Sequence, residues 1–382
     1  MMSDTVLIQG AGMIKFGKYP DRKIDDLGAE ACFLALDDAA ITIADVQALY
    51  CGNLMEANNS PGQRILKQIG QTGIPVVNTT NACATGATAF REAMIAIKAG
   101  LYDVCLVVGV EQMGSGLLGG GKPDTIYTEG VMGTASMPGI FAEAGSVHTA
   151  KYGTTFEQFC QVAVKNHQHA VLNPLARYQM ETPLEVVMAA EMIAYPNTKL
   201  MCSANVDGAA AVVLVSEKKA RELGQKRSVK IRASALTSDP FTDHNLTLWD
   251  FNTCTRNAVD QAYEQAGIGP EDLNLVELHD CFATAEILHY ENLRLCAEGE
   301  AGRFIEQGHT WAGGKIPVNL SGGLLSKGHP VGATGVANIY ELVQHLRGEA
   351  GARQAANARF GLAHVIGLGS ACAIHILEAP NT

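Results

Sequence analysis

The chain has 382 residues, of which 47% are hydrophobic and 18% charged, with a formal net charge of −11. This suits a globular protein of two or three domains, and the acidic balance excludes bulk nucleic-acid binding, so any phosphate-bearing ligand needs a local basic patch. No apolar run is long enough to span a membrane, the first residues lack a signal-peptide profile and the last four are not a peroxisomal address, so a cytoplasmic protein is expected.

Thr5–Gln9 reads as a buried strand followed by Gly10-Ala11-Gly12. The next glycine is displaced to Gly17 and no helical period opens, so a dinucleotide fingerprint is set aside. Asp25–Ala40 is an amphipathic helix and Ala44–Tyr50 a strand. The β-branched run Val76–Thr80 breaks at Asn81-Ala82-Cys83, after which Ala87, Phe90, Met94, Ile97 and Leu101 recur at helical spacing. Val104–Val110 is an unbroken apolar run, the mark of a sheet covered on both faces. From Gly114 to about Pro196 the composition shifts to Gly, Met, His and Tyr with polar helices such as Thr155–Ala170, and reads as an insertion or lid. A strand returns over Met201–Val215. The second half starts at Val229 and repeats the order: helix Cys254–Ala266, strand Leu275–Leu278, a glycine turn over Val318–Gly323, a helix opened by His329–Gly335, and a strand pair Phe360–Gly367 and Ala371–Leu377. One α/β unit used twice is expected, with a first half over 1–113, an insertion over 114–200, a return strand and helix over 201–225 and a second half over 226–382.

The turns carry the chemistry. Cys83 lies at a strand-to-helix turn, where unpaired N–H groups and the helix dipole favour thiolate, and small neighbours leave its sulfur approachable. A pseudo-twofold would set Cys83 against His329, whose ring projects from a helix start fixed by Pro330, and the pair could hold charge as thiolate and imidazolium. His279-Asp280-Cys281-Phe282 ends a strand where ligands of such sheets gather. Consecutive residues cannot all reach one ion and no second cluster helps, so no metal is expected; a second thiol acting as acid and base explains the set better. Asp280 is expected to orient or cap. The ten cysteines, without paired spacing, suit reduced thiols; those outside the two turns are expected to be buried.

The ordered motifs Asn81-Ala82-Cys83-Ala84-Thr85-Gly86, Asp207–Val213, His279-Asp280-Cys281-Phe282 and Lys327–Gly335 resemble those of thiolases, and the His-Asp-Cys-Phe box resembles the sterol-carrier-protein-2 type. The resemblance covers essentially the whole chain. It implies a duplicated five-layered α/β thiolase fold with an inserted loop domain, and reversible C–C cleavage of a 3-oxoacyl-CoA through an acyl-Cys83 thioester. It also implies His329 as base and as donor to the thioester oxygen of the second acyl-CoA, Cys281 as acid/base, His279 in place of an asparagine that positions an oxyanion-hole water, and the N–H groups of Cys83 and Gly369 as a second oxyanion hole. The closing loop has Gly367 where ordinary thiolases carry their cysteine, which moves the acid/base role to Cys281. Coenzyme A enters as substrate, with no permanent cofactor. Lys151, Lys165, Arg177 and Lys199 are its candidate contacts, against the alternative that each is a solvated charge; His148, His167 and His169 have the same standing. A homodimer is implied, as is a small zinc-ribbon/OB-fold partner in members such as benzoylsuccinyl-CoA thiolases. The alternatives are a partner-dependent aldolase on this fold and a non-catalytic lipid or acyl-CoA-binding subunit.

Overall fold

The computed structural model describes residues 5–114, 137–240, 251–368 and 371–380. The first half places strands β1 (Val6–Met13), β2 (Ala48–Gly52), β3 (Val76–Thr79) and β4 (Val104–Glu111) around helices α1 (Ile24–Asp38), α2 (Pro61–Ile69) and α3 (Thr85–Lys98). Helices α4 (Met137–Tyr152), α5 (Phe156–Val171) and α6 (Leu184–Ala189) follow, with a small hairpin of β5 (Met192–Ala194) and β6 (Asn197–Thr198). Thr155 starts α5 with a reciprocal capping box: its hydroxyl accepts the Gln158 N–H at 3.2 Å and its own N–H reaches the Gln158 amide oxygen at 3.0 Å. The chain returns through β7 (Gly208–Ser216) and α7 (Glu217–Leu223). The second half comprises β8 (Val229–Thr237), α8 (Phe251–Ala266), β9 (Leu275–Glu277), α9 (Ala283–Asn292), α10 (Ala301–Glu306), α11 (Gly323–Ser326), α12 (Val331–Leu346), β10 (Phe360–Gly367) and β11 (Ala371–Glu378).

The strands form one nine-stranded sheet in the order β3-β2-β4-β7-β1-β8-β11-β10-β9. Outward from the antiparallel β1/β8 seam, each half repeats the same senses. β1–β7 and β7–β4 are antiparallel and β4–β2 parallel; β8–β11 and β11–β10 are antiparallel and β10–β9 parallel. Beyond them, β3 runs parallel to β2, and Val318 makes a parallel bridge to Val276 in the equivalent place. This repeated pairing is the duplication expected from element order.

The strand period of two sends alternate side chains to opposite faces, and two cores result in each half. On β4, Val104, Leu106 and Val108 pack with α1, while Cys105 and Val107 pack with Phe90, Met94 and Ile97 of α3 and Val336, Ile339 and Val343 of α12. In the second half Leu275 and Ala363 face that same α3/α12 pair, while Val276, Leu362 and Ile374 face α8 and α9. The layers therefore run helix, sheet, helix pair, sheet, helix. Helices α3 and α12 approach closely because glycine lies at each contact: a β-carbon on Gly86 would meet the Gly332 carbonyl, and one on Gly335 the Ala87 backbone.

Three expected boundaries shift. The strand expected over Met201–Val215 begins at Gly208; Met201 ends a 3₁₀ turn (Lys199–Met201), and the backbone after it bonds elsewhere, with Ser203 N–H donating to the Cys281 carbonyl and Ala204 N–H to that of Leu324. Leu101 lies past the end of α3, exposed, and Ile43–Asp45 is a 3₁₀ turn rather than part of β2. Most of the Gly/Met-rich stretch after Gly114, residues 115–136, lies outside the described residues.

Candidate active site

Cys83 sits on the loop from β3 into α3. Thr85 ties that loop: its hydroxyl donates to the Ala82 carbonyl at 2.6 Å and accepts the Asn81 N–H at 2.8 Å. Ala82 is held at φ +47°, a left-handed conformation uncommon outside glycine and kept only where the surroundings over-determine the backbone. His329 precedes α12, its N–H bonded to the Ala204 carbonyl at 3.0 Å. The closeness of α3 and α12 brings the two together. The Cys83 sulfur and nitrogens of His329 and His279 lie within 4.8 Å of one another. The two imidazoles meet edge to face, centroids 5.0 Å apart. Cys281 lines the same pocket, with Met137, Phe141, Cys202, Ser203, Phe282, Ile366 and Leu368 as its remaining wall; Phe141 and Phe282 stack at 5.2 Å.

Hydrogen bonds fix both tautomers. The Thr334 hydroxyl lies 3.0 Å from the Pro330 carbonyl, to which it can donate, and 2.7 Å from Nδ1 of His329, from which it then accepts Nδ1–H. Nε2 of His329 is then the lone-pair nitrogen, buried without a partner among the described residues. His279 is the reverse: its Nδ1 accepts the Ile366 N–H at 3.1 Å, so Nε2 carries the proton. One ring accepts and the other donates. A protonated Nε2 has no lone pair to coordinate with, so this Cys-His-His set does not suit a metal ion.

The resting charges differ from the expected thiolate–imidazolium pair. Burial, with the nearby Glu111 carboxylate, pushes the Cys83 thiol up to about 12 against a favourable bond from its own N–H. Burial pulls His329 down to about 4. The helix-end contribution does not outweigh this burial, and the resting pair is thiol and neutral imidazole. Burial, then Cys83 and Asp280, hold the Cys281 thiol well above its ordinary value; burial and the neighbouring His329 and His289 hold His279 well below.

Glu111, fully buried at the end of β4, was not singled out by the sequence. Its carboxylate accepts from Asn53 Nδ2 and the N–H groups of Leu54, Met55 and Gly332 at 2.8 to 3.1 Å, pinning the start of α12 to the first half. Thr334 and the Phe141 wall were missed as well; Thr334 at least stood inside the Gly-rich motif. Cys202, expected to be a buried thiol, is half-buried on the pocket wall. Gly369 lies outside the described residues.

None of the candidate coenzyme A contacts lines this pocket. Lys151 and Lys199 are exposed and pair with Glu298 and Glu191. Arg177 is exposed beside the Tyr178 ring. Lys165 is overturned as a solvated or ligand-binding charge: it is 0% exposed, bonded to Glu286 and the Val318 carbonyl. The three insertion histidines are buried too, His148 against Thr154 and Glu291, His167 against Ser326, and His169 between the Asn319 carbonyl and the Ala312 N–H.

Two family models match the chain. One described as thiolase, N-terminal domain, matches residues 6–195, and one described as thiolase C-terminal domain-like matches residues 242–379. Sterol carrier protein 2 of Homo sapiens is 39% identical over 98% of this chain and 72% of its own length. An acetyl-CoA acetyltransferase of Methanothermobacter thermautotrophicus is 38% identical over 99% of this chain and all of its own. Benzoylsuccinyl-CoA thiolase subunit BbsB of Thauera aromatica is 36% identical over 95% of both. Among solved structures, an Ltp2-ChsH2(DUF35) aldolase superposes with a TM-score of 0.86 at 26% identity, over 99% of each chain. The chain belongs to the thiolase family.

Proposed function

We propose that the chain is a thiolase in which Cys83 carries the acyl group, His329 is its base, His279 donates to a thioester oxygen and Cys281 exchanges the α-proton. The observation that carries this reading is the convergence of Cys83, His279 and His329 within 4.8 Å in a pocket that Cys281 also lines.

The neutral resting state suits the cleavage direction without prior charge separation. As the Cys83 sulfur attacks the 3-oxo carbon, its proton passes to Nε2 of His329. The C2–C3 bond breaks, and its electron pair becomes an enolate whose thioester oxygen takes the Nε2–H of His279. The Cys281 thiol, kept protonated at rest by its burial, gives its proton to the more basic enolate carbon C2 and becomes thiolate. An incoming coenzyme A thiol returns a proton to Cys281 and attacks the acyl-Cys83 carbonyl; Cys83 leaves and regains its proton from His329. Donors placed where charge develops supply the larger part of such catalysis, and the reverse sequence is condensation. Radiolabelled acyl-CoA should leave label on Cys83, and none on a Cys83→Ala variant.

The described pocket wall holds no cation, which favours an uncharged, apolar acyl group over a carboxylated one; a thiolysis panel of straight-chain, branched, aromatic and carboxylated 3-oxoacyl-CoAs tests this. An aldolase reading draws on the Ltp2-ChsH2(DUF35) aldolase, but Cys83 with a base beside it favours acyl transfer. That two-component neighbour and the relative named as subunit BbsB support a separate partner chain here, checked by co-purification. The open edge of β3, uncharged and half exposed at the end of the sheet, supports pairing with a second copy. Ten unpaired cysteines accord with a reducing cytoplasm, and no helix among the described residues is long and apolar enough to cross a membrane.

A further inference from the structure

We propose that Asp280 is a positioning residue that clamps the acid/base side of the site to the insertion, serving the carbon–carbon step and not the acylation of Cys83. This rests on the thiolase reading above.

Asp280 lies between His279 and Cys281 in sequence, yet it is 0% exposed and its carboxylate is occupied on the side of the second half and insertion. One oxygen accepts the Leu324 N–H at 2.8 Å; the other accepts the Leu325 N–H at 3.3 Å and Asn166 Nδ2 of α5 at 2.8 Å. Gly323, at φ +60°, faces the carboxylate so closely that any β-carbon there would collide with it. Asn166 also bonds Glu286, which takes Lys165 and Asn319 in turn. The Asp280 N–H closes a tight turn onto the Leu278 carbonyl at 3.1 Å. A buried carboxylate is tolerated only when its oxygens are satisfied, and here the donors come from two separate segments. A rigid anchor at the centre of a three-residue turn fixes the residues on either side, and these are the two assigned to the α-proton and the enolate oxygen. Cys83 and His329 have other anchors: Thr85 for the first, Ala204 and Thr334 for the second. The side chains that anchor the two pairs are thus different, Asp280 and Asn166 for the acid/base pair against Thr85 and Thr334 for the acylation pair.

The test uses the full chain with acetyl-CoA as probe and two readouts: radiolabel on Cys83, and deuterium entering C2 of acetyl-CoA in D₂O. In Asp280→Asn one amide N–H replaces an acceptor and opposes a donor, so the turn shifts. Labelling should stay within about twofold of wild type while exchange falls about 10²-fold, the scale of a 1 Å misplacement. As a control for loss of the fold, Asn166→Ala, which keeps Asp280 and its two backbone bonds, should lower exchange about tenfold with labelling intact. Equal losses of labelling and exchange in Asn166→Ala, or unchanged exchange in both variants, overturn the inference alone. A wild-type protein that neither takes label nor exchanges removes the thiolase reading as well.

Discussion

With the Thr334 proton directed at the Pro330 carbonyl, His329 presents Nδ1–H to the hydroxyl and a bare Nε2 to the pocket. Valine at that position keeps the volume, removes the acceptor and frees the ring to adopt the wrong tautomer. Positioned general bases contribute about 10²–10⁴-fold, so Thr334→Val should slow single-turnover labelling of Cys83 by about 10²-fold, while Thr334→Ser restores most of the rate. Equal rates in the two variants would remove the tautomer argument. Lys165 offers a second single-residue test. Its charge is buried beside Glu286, and removing one partner of such a pair costs about 3–5 kcal/mol because the other is stranded. Lys165→Met should lower the melting temperature and leave the KM for acyl-CoA of the folded fraction unchanged. A raised KM at unchanged stability would restore the ligand-binding role that the structure denies it.

At the level of elements, the site exists because two helices touch where they carry no side chains. A β-carbon at Gly335 would lie 2.4 Å from the Ala87 nitrogen, backbone that can yield only if α3 and α12 separate. Gly335→Ala should therefore cost about 1–3 kcal/mol of stability and slow Cys83 labelling by about 10²-fold as His329 is carried away, seen by thermal melts and rapid-quench labelling. Labelling at the wild-type rate with an ordinary melt would show that the helices have slack. Both turns were legible in the sequence because a strand run that breaks at small residues and resumes with a helical period leaves a local trace. The repeat of pairing senses was legible from element order. The insertion was not. Residues 156–171 look like a polar surface helix, and what buries Lys165, Asn166, His167 and His169 is Asp280, Glu286, Asn319 and Ser326, more than a hundred residues on. No local pattern announces a partner supplied by the other half. Thr334 and Glu111 escaped for a related reason: each acts through a hydrogen bond whose partner only the fold defines.

Across the molecule, this long-range burial leaves a set of histidines that cannot charge without unfolding. Burial is the first cause in each case: it pulls His167, His329 and His345 down to about 4, His169, His289 and His375 to about 3, and His279 and His364 well below their ordinary value. In the unfolded chain each binds a proton near 6.5. Between these limits the unfolded state holds more protons, so stability rises with pH and is lost as pH falls from about 6.5 towards 4. Glu111, Glu277 and Asp280, raised chiefly by burial, pull the other way because the folded state binds their protons more tightly than the unfolded one. They are fewer than the histidines, and the net slope follows the imidazoles. The melting temperature should therefore drop between pH 7 and pH 5.5, on the order of 10 °C, with net proton uptake on unfolding at pH 5.5. His329 itself stays neutral throughout that window, so loss of turnover on acidification should track loss of fold, and the protein still folded at pH 5.5 should acylate Cys83 at its pH 7 rate. A melting temperature that is flat or rises on acidification would mean the imidazoles are reached by water after all, and the neutral resting state assigned to the active site would fall with them.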